Sequence, residues 1–171
     1  MKKTLYASGY EVNPHTMAVL ARKNEEGKTT AYVLEADSSY IVTRPPTKLI
    51  DFSCAYFGSS LKGRQDGTKT ICGITHKAPI SIDPSSGMYF FPTASPTNAL
   101  CSWISHSHIE NVQSGQNLSS KITFKNGKTI ELDVSIGSIL NQVHRTAQFR
   151  YLLDKRLTSS KTQNPELEPQ L

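Results

Sequence analysis

The sequence contains no apolar run long enough to cross a membrane, and its first residues, MKKTLYASGYEVNP, lack the apolar stretch of a secretory signal peptide. These two absences predict a cytoplasmic protein. The chain has only 3 cysteines, Cys54, Cys72 and Cys101, which cannot all pair within one chain and whose wide spacing has no zinc-finger signature. We expect these residues to be buried thiols.

The sequence also lacks the motifs of common catalytic sites. It shows no pair of carboxylates placed for acid–base chemistry, no nucleophile elbow and no phosphate-binding loop. The segment GSSLKG is no exception, because no Ser or Thr follows its lysine. We therefore predict that the protein is not an enzyme, with no catalytic residues and no cofactor.

A metal site is the alternative that the histidines and cysteines raise. Cys101, His106 and His108 lie on one segment, and Cys72 and His76 lie on another. On a strand, however, the two neighbouring histidines share a face and Cys101 points to the opposite one. A C-x3-H pair has no recurrent ligand geometry either, so we predict no metal ligands.

Charge is absent from a whole central segment, since residues Pro84 to Ile109 include no Asp, Glu, Lys or Arg, although they hold the single tryptophan. A stretch of this kind forms either the middle of a core or a surface that another subunit covers. The apolar stripe of the last predicted helix is the other candidate surface. Our oligomer-interface candidates are Phe90, Phe91, Trp103, Val143 and Tyr151.

The residues that are present predict many short strands joined by turns. Asn126-Gly127 is the strongest hairpin signal, because both residues tolerate the positive φ of a type I′ turn. A second hairpin is predicted through Asn24 to Gly27. The predicted strands are Tyr10–Asn13, Met17–Ala21, Thr29–Glu35, Tyr40–Thr43, Ile71–Thr75, Ser81–Ile82, Met88–Phe91, Cys101–Ile109, Lys121–Phe124 and Thr129–Val134.

Two helices interrupt this pattern. A short one is predicted between Pro45-Pro46 and Gly58, and a flexible basic loop follows it to Thr68. A longer one is capped by Ser135 or Ser138. Its predicted apolar stripe consists of Ile139, Val143, Ala147 and Tyr151.

The segment from Thr158 has two prolines, no apolar period and an acidic bias, which predicts a disordered tail over residues 158–171. Residues 1–157 are expected to form a single domain. The predicted fold class is α+β and β-dominated. It consists of an antiparallel sheet or a partly closed barrel-like core, with a short central helix and a C-terminal amphipathic helix.

The formal net charge is +5, and between residues 38 and 82 six basic residues against two acidic ones give +4. A basic excess favours an anionic partner, such as nucleic acid, a phosphorylated ligand or an acidic membrane surface. Interleaved hydroxyl and aromatic side chains favour DNA, and the lack of a helix-turn-helix, zinc finger or basic zipper favours contact with the minor groove. The predicted DNA-binding residues are Lys62, Arg64, Lys69, Arg44, His76, Lys77 and Arg145.

Several segments in this order, LIDFSCAYFGSSLKGRQDGT, ITHKAPISIDPSSGMYFFPT, CSWISHSHI and ITFKNGKTIEL followed by NQVHRTAQFR, closely resemble the ComK family of competence transcription factors. The resemblance extends from about Gly9 to Arg150. It implies a cytoplasmic, nucleoid-associated activator of DNA-uptake genes that recognises A/T-rich boxes mainly through the minor groove, as dimers or pairs of dimers. The partners that it implies are double-stranded A/T-rich DNA, RNA polymerase and an adaptor of a Clp-type protease, with no membrane partner.

A protein-interaction module is the competing hypothesis. A non-activating relative of this family would bind other subunits or the proteolytic adaptor, and would thereby titrate the active factor. Salt-dependent binding to A/T-rich duplex DNA separates the two hypotheses, because only the DNA-binding protein releases counterions from the duplex.

Overall fold

The computed structural model describes residues 4–6 and 9–162, which form ten strands and three α-helices. In chain order these are β1 (Thr4–Tyr6), β2 (Thr16–Lys23), β3 (Thr29–Glu35), β4 (Ser39–Val42), α1 (Pro46–Tyr56), α2 (Leu61–Cys72), β5 (Ile80–Asp83), β6 (Met88–Pro92), β7 (Trp103–Ser105), β8 (Ile109–Ser114), β9 (Ser120–Phe124), β10 (Thr129–Leu132) and α3 (Ile136–Thr162).

Seven strands form one sheet in the order β1-β4-β3-β2-β7-β6-β5, and β8 to β10 form a second one in the order β10-β9-β8. All neighbouring pairs are antiparallel except β1 and β4 at one edge of the large sheet. The predicted α+β class with an antiparallel sheet and a C-terminal helix is confirmed. In the part of the chain described, neither sheet closes into a barrel.

The large sheet is the middle layer of three. Helices α1 and α2 cover one of its faces, where Leu49 and Cys54 of α1 pack with Val33 and Trp103 of the sheet. The small sheet and the first half of α3 cover the other face. Both faces are apolar because side chains alternate between them along each strand.

Three of the predicted oligomer-interface residues lie in this core. Trp103 and Phe91 are fully buried and Phe90 is 1% exposed. The indole N–H of Trp103 donates to Thr47 Oγ1 of α1 at 3.1 Å. The strands of the uncharged segment are therefore interior, because β6 and β7 are inner strands covered on both faces, whereas the connection between them is exposed. The interface prediction is corrected for these three residues, whose side chains offer no surface to a second subunit.

The basic segment that was predicted as a flexible loop is helix α2. Ser60 caps this helix, since its Oγ accepts a hydrogen bond from Gly63 N at 2.9 Å. Leu61 and Thr68 are buried, and the Thr68 hydroxyl donates to Pro79 O at 2.6 Å. Glycine and polar residues give the sequence a low helix propensity, which these tertiary contacts override.

Three predicted strands are also corrected. Ile71–Thr75 contains the end of α2, which Gly73 closes with a φ of 74°. Tyr10–Asn13 is a loop that side-chain hydrogen bonds hold. Cys101–Ile109 contains β7, then one 3-10 turn over His106–His108, and then the start of β8.

Both predicted hairpins form, with a different turn from the one expected. Gly127 has a φ of 87°, whereas Asn126 keeps a negative φ, so the turn is not type I′. Phe124 N donates to Lys128 O across a three-residue loop whose last residue is the left-handed glycine. The β2–β3 turn has the same form, with Gly27 in the left-handed position.

Helix α3 begins at Ile136 with Ser135 as its cap, because Ser135 Oγ accepts from Ser138 N at 3.3 Å. It continues to Thr162, so the predicted disordered tail is wrong for residues 158–162. No proline interrupts this segment before Pro165. Residues 163–171 lie outside the described part of the chain.

The buried face of α3 differs from the predicted apolar stripe. Ala147 and Tyr151 are exposed, and two polar residues, Gln142 and Thr146, take core-facing positions instead. Gln142 is 3% exposed, and its side chain binds two backbone carbonyls. A stripe defined by apolar residues alone misses such positions, because a buried polar side chain is tolerated wherever it is hydrogen-bonded.

Candidate nucleic-acid interface

Strand direction places most of the predicted DNA-binding residues at one end of the large sheet. Strands β2 and β4 run toward this end, since Ala31 of β3 pairs with both Ala21 and Val42. Strand β6 ends there, and β5 and β7 begin there. We name it the basic end, and define it by residues 22–28, 43–46, 73–79 and 93–102.

The small sheet and two helices reach the same end. Leu132 of β10 lines one groove together with Thr93 and Leu100 of the β6–β7 connection. The β9–β10 turn lies at the other end, where Asn126 Nδ2 donates to Ala36 O. Helices α1 and α3 both start at the basic end, so the positive ends of two helix dipoles lie there.

Four of the seven predicted residues line one open groove at the basic end. Lys62 and Lys69 extend from α2, and His76 and Lys77 belong to the segment that leads into β5; the groove has a volume of about 610 Å³. All four residues are exposed. Lys62 Nζ lies 3.1 Å from Asp66 Oδ2, but both side chains are solvated, so this pair is weak and leaves Lys62 free to meet another anion.

Helix α3 fixes the backbone of this groove. Gln142 Nε2 donates to Lys77 O at 2.9 Å and to Pro92 O at 2.7 Å. Arg145 donates to His76 O and to Gln142 Oε1, both at 2.6 Å. Lys77 has a φ of 47°, which is uncommon for a residue with a Cβ, and these hydrogen bonds stabilise it. Partial burial lowers the pKa of Arg145. This residue contacts the backbone of the groove, at His76 O.

The two remaining predicted residues lie outside the groove. Arg64 is half-buried and donates through Nη2 to Ile82 O at 3.1 Å, so it joins α2 to β5. Arg44 is exposed at the basic end, and its guanidinium carbon lies 5.1 Å from the centroid of the Phe52 ring. The structure thus brings four predicted residues together, leaves Arg44 nearby, and gives Arg64 and Arg145 backbone partners.

Two further basic residues at this end were not predicted from the sequence. Arg22 lies over the Tyr32 ring at 4.4 Å, and Lys23 follows it at the end of β2. Both are exposed and line a second groove with Thr43. The predicted hairpin through Asn24 to Gly27 places Arg22 and Lys23 beside a turn. Sequence spacing does not reveal, however, that this turn lies next to Thr43.

The structure also bears on the metal site, the cysteine thiols and the membrane-spanning segment that were considered from the sequence. Within the described residues, no three His, Cys, Asp or Glu side chains converge as metal ligands. Burial raises the pKa of the Cys54 thiol to about 12 and also raises that of Cys101, so both thiols stay protonated at neutral pH. Over the same residues, no helix has both the length and the hydropathy that a membrane crossing needs.

Comparison with known proteins places this geometry in context. Residues 7–158 match the family model described as ComK protein. Over 148 residues the chain is 42% identical to a protein of Bacillus subtilis (strain 168) named Competence transcription factor, and the aligned region covers 86% of this chain and 77% of that protein. No solved structure matches the chain.

Proposed function

Because this chain belongs to the ComK protein family, we propose that it is a DNA-binding transcriptional activator of competence genes, those for DNA uptake. The observation that carries the DNA-binding part is the convergence of Lys62, Lys69, His76 and Lys77 on one groove, with Arg44 and Arg22 at the same end of the sheet. Exposed basic residues that are far apart in the sequence thus lie at one end of the molecule, beside Asp66, Glu25 and Glu26, and supply the positive charge that phosphate binding requires.

The groove and the helix ends have separate roles in this proposal. The lysines bind backbone phosphates as point charges, and the free N–H groups at the starts of α1 and α3 add to the positive potential. Gln142 and Arg145 hold His76 and Lys77 in place, so that little conformational entropy is lost when a phosphate binds. Arg22 and Arg44 supply the exposed guanidinium groups that enter a narrow A/T minor groove.

The position of the helices supports minor-groove reading. At the basic end α1 and α3 present only their first turns. Helix α2 runs alongside β5, to which Arg64 and Thr68 bind, and lines the groove with one exposed face from Lys62 to Lys69. The rest of the surface consists of loops and hairpin turns, which suit a reader that does not fill the major groove. We therefore propose that A/T-rich boxes are recognised mainly through the minor groove.

Assembly and protein partners belong to other surfaces. Val143 is half-buried and Tyr151 is 66% exposed on α3, and we propose that this helix contributes to dimers or pairs of dimers on DNA. Phe52 and Tyr56 form an exposed aromatic face on α1, which fits a protein partner such as RNA polymerase or a Clp-type adaptor. Sedimentation of the protein with and without a two-box duplex tests the assembly, since the Tyr151→Ala variant is expected to shift it toward smaller species.

The test of function is a fluorescence-anisotropy titration of the purified protein against an A/T-rich and a G·C-rich duplex at several salt concentrations. We expect tighter, salt-dependent binding to the A/T-rich duplex and competition by netropsin, a drug that occupies the A/T minor groove. Folded protein that binds neither duplex would contradict the DNA-binding proposal and favour the interaction module. Binding without competition by the drug would contradict the minor-groove assignment alone.

A further inference from the structure

The turn between β8 and β9 differs from the turns that join β2 to β3 and β9 to β10. It places two consecutive non-glycine residues in the left-handed region, Asn117 with a φ of 51° and Leu118 with a φ of 62°. The β2–β3 and β9–β10 turns use Gly27 and Gly127 at their left-handed positions. A leucine is disfavoured there, because its Cβ approaches the following carbonyl, whereas a glycine adopts the conformation freely.

Leu118 is also the most solvated large apolar side chain of the described residues, with 90% of its surface exposed against 66% for Tyr151. The turn therefore holds the apolar side chain of Leu118 in solvent in spite of a strained backbone conformation. Strain of this kind concentrates at binding sites, where the partner uses the conformation that the free protein holds. The flanking sequence from Asn111 to Ser120 carries no charge and is rich in amide and hydroxyl groups.

The turn lies at the basic end. Ser120, directly after it, pairs with Leu132 and donates through its hydroxyl to Val134 O. Leu132 and Val134 line one groove with residues of the β6–β7 connection, and Ser95 of that connection also lines the groove that holds the lysines. The hairpin tip, the uncharged β6–β7 connection and the lysine groove therefore follow one another across the same end of the molecule.

We propose that Leu118 is a wedge that enters the DNA minor groove and partly unstacks one base step. This inference rests on the proposed DNA-binding function. A narrow hairpin turn that presents one branched apolar side chain matches the size of a minor-groove slot, where apolar wedges kink DNA at flexible steps such as TA. A protein interface would need a broad apolar patch, and the neighbours of Leu118 are polar.

The experiment uses an A/T-rich duplex in which 2-aminopurine replaces single adenines, because this base fluoresces more strongly when it is unstacked. The wild-type protein is expected to raise the emission severalfold at one step. Leu118→Ala and Leu118→Gly should abolish the rise and weaken binding about tenfold, whereas Leu118→Met keeps the wedge and the signal. Leu118→Gly should also raise the midpoint of thermal unfolding, which shows that lost binding does not come from lost folding.

Leu157→Ala is the matched control, since Leu157 is an exposed leucine on ordinary helical backbone near the end of α3, outside the basic end. It should leave the emission unchanged, and an equal loss in this variant would overturn the assignment to the hairpin tip. If the wild-type protein binds the duplex and Leu118→Ala preserves both emission and affinity, the wedge is wrong while the DNA-binding function stands. If the wild-type protein binds no DNA, the proposed function itself has failed. Loss of transcription in Leu118→Ala with unchanged DNA binding would assign Leu118 to a protein partner and also overturn the wedge.

Discussion

Replacing Gln142 with Ala tests whether α3 holds the basic groove in shape. The side chain donates to the carbonyls of Lys77 and Pro92 and accepts from Arg145, and it is almost fully buried. The Pro92 carbonyl belongs to a buried residue, so losing its partner costs about 1–3 kcal/mol. The Lys77 carbonyl is in an exposed segment, so water can replace its lost hydrogen bond. The cavity that the shorter alanine leaves adds to the loss of stability. We expect the free energy of unfolding to fall by about 2–4 kcal/mol.

The assay is urea unfolding, with the midpoint and slope measured for the wild type and two variants. Gln148→Ala is the matched control, because Gln148 lies on the exposed side of the same helix and its loss should change stability by less than about 0.5 kcal/mol. Gln142→Ala should also weaken DNA binding without changing its salt dependence, since every groove charge remains. Equal unfolding midpoints for Gln142→Ala and Gln148→Ala would refute the proposed support of the groove.

Three further predictions follow from the placement of side chains. Trp103→Ala should destabilise the protein by about 3–5 kcal/mol in urea unfolding, as a core residue does, and a folded, merely monomeric variant would restore the interface hypothesis. Arg64→Ala should lower stability while leaving the salt slope of DNA binding unchanged, because its guanidinium binds Ile82 O; a slope reduced by about one would identify a phosphate contact instead. Burial, with nearby positive charge, lowers the pKa of His106. As pH falls, the unfolded chain therefore protonates this imidazole before the folded protein does, and stability is lost below about pH 6.5. His106→Gln should flatten the pH dependence of the unfolding midpoint between about pH 7.5 and 5, and an unchanged pH dependence would count against this assignment.

Much of the fold can be predicted from local sequence patterns. The strands with alternating apolar residues and the two hairpins with glycine turns were found at nearly their true places, because pattern and turn chemistry act over a few residues. Helix α2 was missed, since its stability comes from the burial of Leu61 and Thr68 against residues that are distant in the sequence. The buried Gln142 was missed for the same reason, because its partners belong to another layer.

Composition locates the basic segment but not the position of each side chain, and the role of these residues in DNA binding stays a prediction. Lys69 and Lys77 belong to the basic segment, and the structure shows that they line one groove. Arg64 belongs to the same segment, but its position on the inner side of α2 turns it toward β5. Arg22 escaped notice, because only the strand directions show that β2 ends at the same side of the molecule. The left-handed backbone conformation of Leu118 cannot be predicted from the sequence, because leucine seldom adopts a positive φ.

The central claim, that DNA binds at the basic end, is tested most directly by two double variants with the same change of net charge. Lys69→Gln with Lys77→Gln removes two exposed charges at the basic end, and Lys125→Gln with Lys155→Gln removes two exposed charges elsewhere. Their affinities for an A/T-rich duplex are measured across a range of salt concentrations. Each lost phosphate contact lowers the slope of log K against log salt by about 0.9, so the first variant should lose about two and the second almost nothing. Equal slopes in the two variants would contradict the account.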